Sequence, residues 1–443
     1  MAQDVEKKLV EFVVNAKLED IPADIVEFNK CLLLKTVSGM LQGADKPSGK
    51  KIAKIIKEQK KPEEVTVYGT GFKTSLWDGV FLNAYTAHAS ELEDDRIVPG
   101  EGVAWNITVL PLVLPLAEKY GLSGKDALLA MIIGMELHMR VDISNTVPLG
   151  LYVVPGAVGP AIGGAKALGL SAEEIEAVIG LTTSSPAVSR ANVSSDAHFF
   201  ESALQSMQAV MAVEMAKEGL KGNCNLIKYL SELLGEENVN VDKMLKDLGK
   251  TWLTREIMIK KWGICTFQHR QVDLILEMMK DNNLTYDDIE YVEVHASPAD
   301  TFCDNPNPKD ENDCQFSYQH NLGVAMLDGD IGMERISIEG INDPKVKEAR
   351  TKVKFILHPE LSAEMHKEPA KLVIKTKDGK EISGERQHVI GGPEEPLTLD
   401  RFEELYAKYT RSKLSEKDIA RSYDLVMNLE KADSVKELMD ILK

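Results

Sequence analysis

The sequence is poor in the features that mark several large classes of protein. Its five cysteines among 443 residues are scattered and form no CxxC pair, which argues against a disulfide framework and favours a reducing compartment. The longest apolar run, residues 107–117, contains two prolines and is far too short to cross a bilayer. The opening residues MAQDVEKKLVEF are charged and lack the apolar segment of a signal peptide. We therefore expect a cytoplasmic protein without a membrane segment.

Positive charge is also scarce. Lysine and arginine number 52 against 70 aspartates and glutamates, which gives a formal net charge of −18. Because nucleic acids and anionic membrane surfaces are polyanions, neither is an expected partner. A small anionic substrate stays compatible with this total, since a few local cations set the potential inside a cleft. The length exceeds that of one ordinary core and predicts two domains.

Helix signals dominate the first 260 residues. Ser123 and Ser171 each precede an acidic residue by three positions and open an apolar-periodic run, which is the spacing of a helix cap. Further capping signals follow Asp400, Ser415 and Ser434. The glycine-rich stretch 153–170 lacks the GxxxxGK[ST] pattern of a phosphate loop. We interpret it as small residues that allow close helix packing.

The pattern changes near residue 285. IEYVEVHAS, RISIEGI and KVKFILH have β-branched residues in partial alternation, and residues 371–389 predict a hairpin through Asp378-Gly379. YQHNLGVAMLDG between them predicts a helix. The predicted fold is mainly α: a large all-helical domain formed from both chain ends (1–265 and 391–443), with an inserted smaller α+β lid domain (266–390).

The stretch HASELEDD, residues 88–95, combines a histidine with four carboxylates. His88 and Glu91 are one helical turn apart, as metal ligands can be, but the sequence has no HExxH motif and no Cys/His cluster. We therefore expect no metal. A serine hydrolase is not expected either, because a GxSxG elbow is absent. Most acidic runs of this kind are solvated helix ends, and we assign Glu93 to such a face.

The nine histidines fall into three groups. His358, His366 and His388 lie in polar surroundings and are predicted at the surface. His138 in an apolar helix and His295 in a strand are predicted to be structural. The candidates for chemistry adjoin other polar groups at the edge of apolar elements: His88, His198, His269 and His320.

Several segments in a fixed order resemble the MmgE/PrpD family, which includes 2-methylcitrate dehydratase, cis-aconitate decarboxylase and iminodisuccinate epimerase. They are NAYTAHASELEDD (83–95), VLPLVLPLAEKYGLSGKDALLAMIIGMEL (109–137), VGPAIGGAKALGLSAEEIEAVIGL (158–181), KKWGICTFQHRQVD (260–273), FSYQHNLGVAMLDG (316–329) and GGPEEPLTLDRFEELY (391–406). The resemblance implies a helical domain, an α+β lid, a cleft between them and a homodimer. It implies neither an organic cofactor nor a metal.

The resemblance also assigns site residues. Glu91 stands where the family usually has an aspartate of its active-site segment, and Asp94 and Asp95 follow it. Lys260, Cys265 and His269 keep the family's arrangement of lysine, cysteine and histidine. Elsewhere the sequence departs from the family, because two usual histidines are replaced while two new ones stand at other site positions. Ala104 and Val153 occupy the first pair of positions; His198 and His320 stand where a lysine and a tyrosine are usual.

These residues predict proton removal next to a carboxylate, which requires a positioned base and groups that stabilise the developing negative charge. Lys260 and His269 would hold substrate carboxylates, with His88 and Asp95 as further binding groups. His198 and His320 would act as base and acid, since an imidazole titrates near neutral pH. Glu91 or Asp94 would orient an imidazole or bind a substrate hydroxyl. Cys265 would be a second proton carrier or a buried inert thiol.

The predicted function is that of a cofactor-independent dehydratase of a small hydroxylated di- or tricarboxylate. An epimerase or isomerase of a small dicarboxylate shares the first step and is the next alternative, followed by a decarboxylase of the cis-aconitate type. The alternative outside enzymology is a helical dimer that has lost catalysis and acts as a binding protein.

Overall fold

The computed structural model describes residues 2–98, 101–104, 106–144, 156–184, 192, 195–364 and 366–443. The fold is mainly helical, as predicted, and its apolar side chains form two large buried clusters. One cluster combines side chains from residues 5–259 with others from residues 402–442. The other is built from residues 262–374. The clusters separate near residue 260; the exact domain boundaries given above stay a prediction.

Eleven helices of the described residues precede the lid segment. They are α1 (Ala2–Asn15), α2 (Ala23–Asp45), α3 (Pro47–Glu58), α4 (Leu76–Ala89), α5 (Asn106–Tyr120), α6 (Gly124–Ile143), α7 (Val158–Ala167), α8 (Ala172–Thr182), α9 (Phe200–Lys217), α10 (Leu226–Leu234) and α11 (Val241–Leu245). The caps predicted at Ser123 and Ser171 are confirmed, since each side chain accepts a backbone N–H from the acidic residue three positions on. Helix α4, which ends just before the acidic segment, packs against α2, α5 and α9.

Small residues bring α6 and α7 close together, as the sequence predicts for residues 158–170; residues 151–155 lie outside the described part of the chain. The Cα of Gly163 approaches that of Gly134, and a side chain on Gly159 would collide with the ring of His138. His138 is buried with its Nδ1 3.4 Å from the Thr108 hydroxyl. The interpretation of His138 as a structural histidine agrees with this packing.

Two short sheets lie within the helical part. Strands β1 (Val65–Val67) and β2 (Phe72–Thr74) form a hairpin. Strands β3 (Asp95–Val98), β4 (Glu101–Ala104) and β5 (Ile257–Met258) form a three-stranded antiparallel sheet in the order β4-β3-β5. This second sheet matters for the site, because it joins the acidic segment after α4 to the segment that begins the lid.

The lid segment contains helices α12 (His269–Asp281), α13 (Glu311–Gln315), α14 (Tyr318–Asp328), α15 (Ile338–Asn342) and α16 (Pro344–Thr351) and strands β6 (Ile289–Ala296), β7 (Val353–Leu357), β8 (Ala370–Thr376) and β9 (Glu381–Arg386). The sheet order is β7-β6-β8-β9, with β6 and β7 parallel. The predicted hairpin is confirmed, and Gly379 supplies the left-handed backbone of its turn (φ 90°). The prediction of a strand at RISIEGI is wrong, because Ser337 caps α15 there.

Helices α17 (Leu399–Thr410), α18 (Glu416–Met427) and α19 (Lys436–Leu442) return the chain to its beginning. Lys30 Nζ donates to the Met427 carbonyl at 2.8 Å, and Gly69 N donates to the Leu442 carbonyl at 2.9 Å. The cap at Ser415 is confirmed, whereas α17 is capped by Thr398 rather than Asp400. Among the described residues, no helix combines the length and apolar character that crossing a bilayer requires.

Candidate active site

Seven polar side chains from three distant segments meet in the interior. We call them the acid–imidazole cluster: His88, Glu91, Glu93, Asp94, Asp95, His198 and Lys260. Each is at most 9% exposed. Buried charged groups are expensive unless they are paired, so such a concentration of them makes the cluster a candidate functional site.

The turn after α4 places the four carboxylates inside the protein. Helix α4 ends at Ala89, and Glu91 adopts a left-handed backbone (φ 54°), which reverses the chain. The hydroxyl of Ser90 accepts the N–H of Leu92, whose apolar side chain lies in the helical core. This anchor holds the following acidic residues inward. The assignment of Glu93 to a solvated face is therefore wrong, since Glu93 is 5% exposed.

Lys260 binds the acidic turn from the other side. Strand β5 pairs with β3 and delivers Lys260, whose backbone N–H donates to Asp94 Oδ1 at 3.0 Å. Its Nζ lies 3.2 Å from Glu91 Oε2, 2.5 Å from Glu93 Oε1 and 3.8 Å from Asp95 Oδ2. Burial by itself lowers the pKa of Lys260, but the neighbouring carboxylates raise that pKa well above its usual value. Lys260 is thus a cation with its partners already in place.

The carboxyl groups of the turn are harder to ionise than ordinary ones. Burial raises the pKa of Glu93, to which the charge of Glu91 adds, and burial raises the pKa of Asp94. Burial also raises the pKa of Asp95 to about 6, although the Thr266 hydroxyl donates to this carboxylate. These raised pKa values mean that some of the carboxyl groups hold a proton near neutral pH, so the charge of the cluster is smaller than its count of acidic residues.

The histidine pair, His88 and His198, faces the acidic turn. The two ring centroids lie 4.5 Å apart with the planes tilted by 60°. The first turn of α9 holds both rings, because Ser202 Oγ lies 3.4 Å from His88 Nδ1 and Glu201 Oε1 lies 3.4 Å from His198 Nδ1. Sequence analysis did not identify Glu201 or Ser202. The sequence did offer one sign of Glu201: it follows His198 by three residues, a spacing that places two side chains on the same face of a helical turn.

The surroundings shift the pKa values of the two imidazoles in opposite directions. Burial, together with the charges of His198 and Lys260, places the pKa of His88 well below its usual value. Burial also disfavours the charged form of His198, but the Glu201 carboxylate 3.4 Å from its Nδ1 and the charge of Glu91 outweigh it and raise that pKa. The pair therefore combines a neutral imidazole with one that holds a proton more firmly.

One residue set within the cluster has the geometry of a metal site. One ligand atom each from His88, Glu91 and His198 lie within 4.8 Å of one another. Glu91 Oε1 is buried and has no hydrogen-bond partner in the part of the chain that the structure describes. From the sequence, only His88 and Glu91 could be grouped, because His198 belongs to a distant segment.

His269 and Cys265 lie beside the cluster, and the surroundings of His269 do not match its predicted role. His269 is fully buried, with its Nε2 3.4 Å from the Ile264 carbonyl and its ring 5.3 Å from that of Trp262. Burial and the charge of Lys260 place the pKa of His269 well below its usual value, so it offers no positive charge to a substrate. The buried Cys265 thiol contacts that of Cys303.

The structure does not bring His320 into the cluster. It lies on α14, fully buried, with Nε2 2.9 Å from the Arg335 carbonyl and Nδ1 3.4 Å from the Arg350 guanidinium. Burial lowers the pKa of His320 to about 4. Both ring nitrogens thus have partners within the lid segment, and the proposed pairing of His320 with His198 as base and acid has no geometric support.

Three further residues named in the sequence analysis differ in where they lie. Ala104 lies in β4 directly opposite Asp95, so it borders the acidic turn. Val153 lies outside the described residues. His366, predicted at the surface, is buried with its ring 4.5 Å from that of Phe267; the surface assignment is wrong.

A separate groove of about 610 Å³ is lined by residues that include Lys261, Asp273, Asp330 and Lys408. No side chain of the acid–imidazole cluster lines it. The chemistry-bearing groups and this groove are therefore distinct features, and buried volume alone does not locate the site.

Comparison with known proteins agrees with the family resemblance. The chain is 22% identical over 404 residues to the cis-aconitate decarboxylase of Homo sapiens, covering 85% of this chain and 83% of that protein. The cis-aconitate decarboxylase of Aspergillus terreus is 23% identical over 477 residues, with 99% and 96% covered. That of Mus musculus is 21% identical over 471 residues, with 100% and 94% covered.

Two family descriptions account for most of the chain. The MmgE/PrpD N-terminal domain matches residues 7–229, which contain the later part of α1, all of α2–α9 and the acidic turn. The MmgE/PrpD C-terminal domain matches residues 262–431, which contain the lid segment, α17 and α18. Lys260 falls between the two matches. The chain belongs to the MmgE/PrpD family.

Proposed function

We propose that this protein is a lyase that acts on a small di- or tricarboxylate by moving a proton next to a carboxylate, with dehydration of a hydroxylated substrate as its reaction. The single observation that carries the proposal is the acid–imidazole cluster. It places two imidazoles 4.5 Å apart beside buried carboxylates, in a member of a family with decarboxylase relatives.

The chemistry explains why such a cluster is needed. Removing the proton next to a carboxylate creates a dianionic, enediolate-like species, which water stabilises poorly. A site for it needs a positioned proton carrier and preorganised groups where the charge develops, each such group being worth about 3–4 kcal/mol. In a dehydration the C–H proton leaves, the electrons form the double bond, and the β-hydroxyl departs as water after protonation.

The geometry revises the roles that the sequence suggested. His88 and His198 are the groups that we place next to the reactive carbon, with Glu201 and Ser202 as the residues that position them. Lys260 is the counter-ion of the acidic turn rather than a clamp for a substrate carboxylate. His320 is a structural residue of the lid in this proposal.

Decarboxylation is the second candidate, and the relatives support it, since those compared above are named for decarboxylation of cis-aconitate. Epimerisation is the third, supported by two imidazoles that face each other. Each reaction shares proton transfer beside a carboxylate. The alternative to an enzyme is a binding protein, which would have the same cluster but would convert no substrate.

The test is incubation of the purified protein in D₂O with a panel of small hydroxylated and unsaturated polycarboxylates, followed by NMR. We expect C–H exchange and loss of water from one of them, both abolished by His88→Gln and by His198→Gln. His138→Gln is the matched control, an equally buried imidazole outside the cluster that should leave turnover unchanged.

The product identifies the reaction. Loss of CO₂ would assign decarboxylation, and inversion without a change of mass would assign epimerisation. Silence across the panel from folded protein would overturn the proposed lyase activity. The family resemblance also implies a homodimer, which light scattering at several protein concentrations would test.

A further inference from the structure

Two buried lysines near the acidic turn have no part in the site described so far. They are Lys35 and Lys46, and the Nζ atom of each has no hydrogen-bond partner among the residues that the structure describes. The proposed reaction needs a cation that can meet an anionic substrate. Lys260 already pairs with the acidic turn, and the pKa of His269 lies well below its usual value. The two buried lysines are therefore the candidates for that cation.

We propose that Lys46 binds a carboxylate of the substrate, and that this carboxylate takes the place of Glu311 beside Nζ. Lys46 connects α2 to α3, and Glu311 is the first residue of α13 in the lid segment. This role rests on the proposed lyase activity, because it assigns the group that holds the polycarboxylate while a proton is moved. The histidine pair keeps the role in proton transfer that we propose above.

The first support is the incomplete pairing of Lys46. Its Nζ lies 3.5 Å from Glu311 Oε2, whereas a hydrogen bond from nitrogen to oxygen usually spans about 2.7–3.2 Å. Lys46 is 6% exposed, and burial lowers its pKa, which the charge of Glu311 restores only in part. A buried ammonium group in this condition gains free energy from an anion that approaches more closely.

The second support is the position of Lys46 relative to the cluster. Helix α2 packs directly on α4, the helix that leads into the acidic turn, and a Cβ on Gly43 would overlap the Thr86 carbonyl. Lys46 follows this close contact by three residues. The negative charge of Glu91 acts to raise the pKa of Lys46 and also that of His198. The lysine and this imidazole therefore both lie within the electrostatic reach of the same carboxylate.

The third support is the lid helix α13, which contacts both groups. Its first residue pairs with Lys46, and its second, Asn312, donates from Nδ2 to Asp196 Oδ1 at 3.0 Å. Asp196 precedes His198 by two residues. The ring of Phe316, which directly follows α13, lies 6.4 Å from the ring of His198. An anion that reaches Lys46 therefore enters on the side of the cluster where the imidazoles lie.

Glu311 can leave Lys46 more easily than the buried acids can leave Lys260. The side chain of Glu311 is 18% exposed, compared with 3% for Glu91 and 6% for that of Glu93. Because a partly exposed carboxylate regains water when it turns outward, exchange at Lys46 costs less desolvation than exchange at Lys260. The ion pair with Glu311 thus marks a position where one carboxylate can replace another.

Lys35 has different surroundings. Its Nζ lies 5.3 Å from the centre of the Tyr409 ring, and burial lowers its pKa to about 8 although the charge of Asp94 opposes the shift. These neighbours belong to the helical part of the protein, whereas Lys46 meets the lid. We therefore place the substrate carboxylate at Lys46 and use Lys35 as the competing candidate in the test.

The experiment is calorimetric titration of the full chain with succinate and with tricarballylate, which carry two and three carboxylates and have no hydroxyl group to lose. Lys46→Met should weaken binding of the better probe about 10- to 100-fold, because a hydrogen bond to a charged group is lost. Lys46→Arg keeps the charge and should retain most of the binding. The matched control is Lys30→Met, on a buried lysine of the same helix that pairs with Glu430, and it should bind as the unchanged chain does.

Glu311→Gln separates binding of the substrate from a structural role. If Lys46 binds the substrate, removal of the competing carboxylate should tighten binding about two- to fivefold, the opposite of the effect of Lys46→Met. If the ion pair only holds α13 in place, both substitutions break it and both should weaken binding. That result would overturn the proposal. It would also be overturned if Lys35→Met weakened binding and Lys46→Met did not.

Turnover provides an independent measurement. With the polycarboxylate that the protein converts, Lys46→Met should raise KM more than it lowers kcat, because the bound substrate already makes this contact. An unchanged KM would overturn the role of Lys46 and keep the lyase. Binding of tricarballylate through Lys46 without conversion of any polycarboxylate would overturn the lyase and keep the role of Lys46. An unchanged chain that bound neither probe would overturn the role of Lys46.

Discussion

Replacement of Lys260 by methionine tests whether this lysine is the counter-ion of the acidic turn. Methionine has nearly the same length but no charge, so Glu91, Glu93 and Asp95 lose their shared cation while the packing is kept. Lys260 is 1% exposed, and its Nζ has contacts of 3.2 Å and 2.5 Å to Glu91 and Glu93. Breaking a buried ion pair on one side costs about 3–5 kcal/mol, and we expect a loss in that range for Lys260→Met.

The assay is urea unfolding at pH 8 followed by tryptophan fluorescence, with Trp262 as a reporter two residues from the substitution. A second substitution sharpens the result. In Lys260→Met/Glu93→Gln one of the stranded carboxylates is also removed, so the double variant should recover about 1–3 kcal/mol relative to Lys260→Met. Lys54→Met, on an exposed lysine that forms a surface ion pair with Glu58, should change stability by less than about 0.5 kcal/mol.

A particular result would refute the reasoning. If Lys260→Met unfolded within about 1 kcal/mol of the unchanged chain, the acidic turn would not depend on this cation. The charge of Lys260 would then be available to a substrate, as the sequence analysis first suggested. Additive effects of Lys260→Met and Glu93→Gln would lead to the same conclusion.

Three further predictions concern the scaffold. Burial lowers the pKa of His320 from about 6.5 to about 4, so the unfolded chain binds the extra proton and stability falls as the pH drops through that interval. Between pH 7 and about pH 4.5 the unchanged chain should lose about 2–3 kcal/mol more than His320→Gln, and equal losses in urea unfolding would contradict this. Arg140→Met strands the buried carboxylate of Glu136 and should cost about 3–5 kcal/mol in thermal unfolding; an unchanged melting temperature would refute it. Gly159→Ala puts a methyl group against His138 and should cost about 1–3 kcal/mol by the same measurement, with a neutral result showing that α6 and α7 can separate.

Local patterns predicted most of the fold correctly. Helix caps at Ser123, Ser171 and Ser415 are set by neighbours three residues away, and the structure confirms all of them. The Asp378-Gly379 hairpin is local in the same sense. The strand prediction for RISIEGI is wrong: its β-branched residues suit a strand, but the Ser337 side chain caps a short helix there.

The site was predictable only in part. The sequence drew attention to His88, Glu91 and His198 through their type and their place in the family pattern, and the structure brings these three together. It did not predict that Glu93 is buried, because an acidic run after a helix is usually solvated. The reversal at Glu91 and the anchor at Leu92 turn that run inward, and both depend on packing against distant helices.

His198 and His320 show the limit most clearly, because the sequence treated them alike. Both are buried imidazoles at positions where the family usually has another residue. His198 lies against His88 and Glu201, while His320 lies between Arg335 and Arg350 in the lid. Residue type and spacing cannot separate the two cases, because the contacts that define each ring join residues far apart in the chain or on different elements.

The sequence by itself determined the family, the mainly helical fold, several of the helix caps and the residue types available for chemistry, because these follow from local pattern and from the order of segments. The tertiary structure alone decided which of those residues share a site. Strand β5 pairs with β3 and brings Lys260 to the acidic turn, and α9 holds the histidine pair. Charge balance among buried groups is a property of such convergence, so it could only be evaluated once the chain was folded.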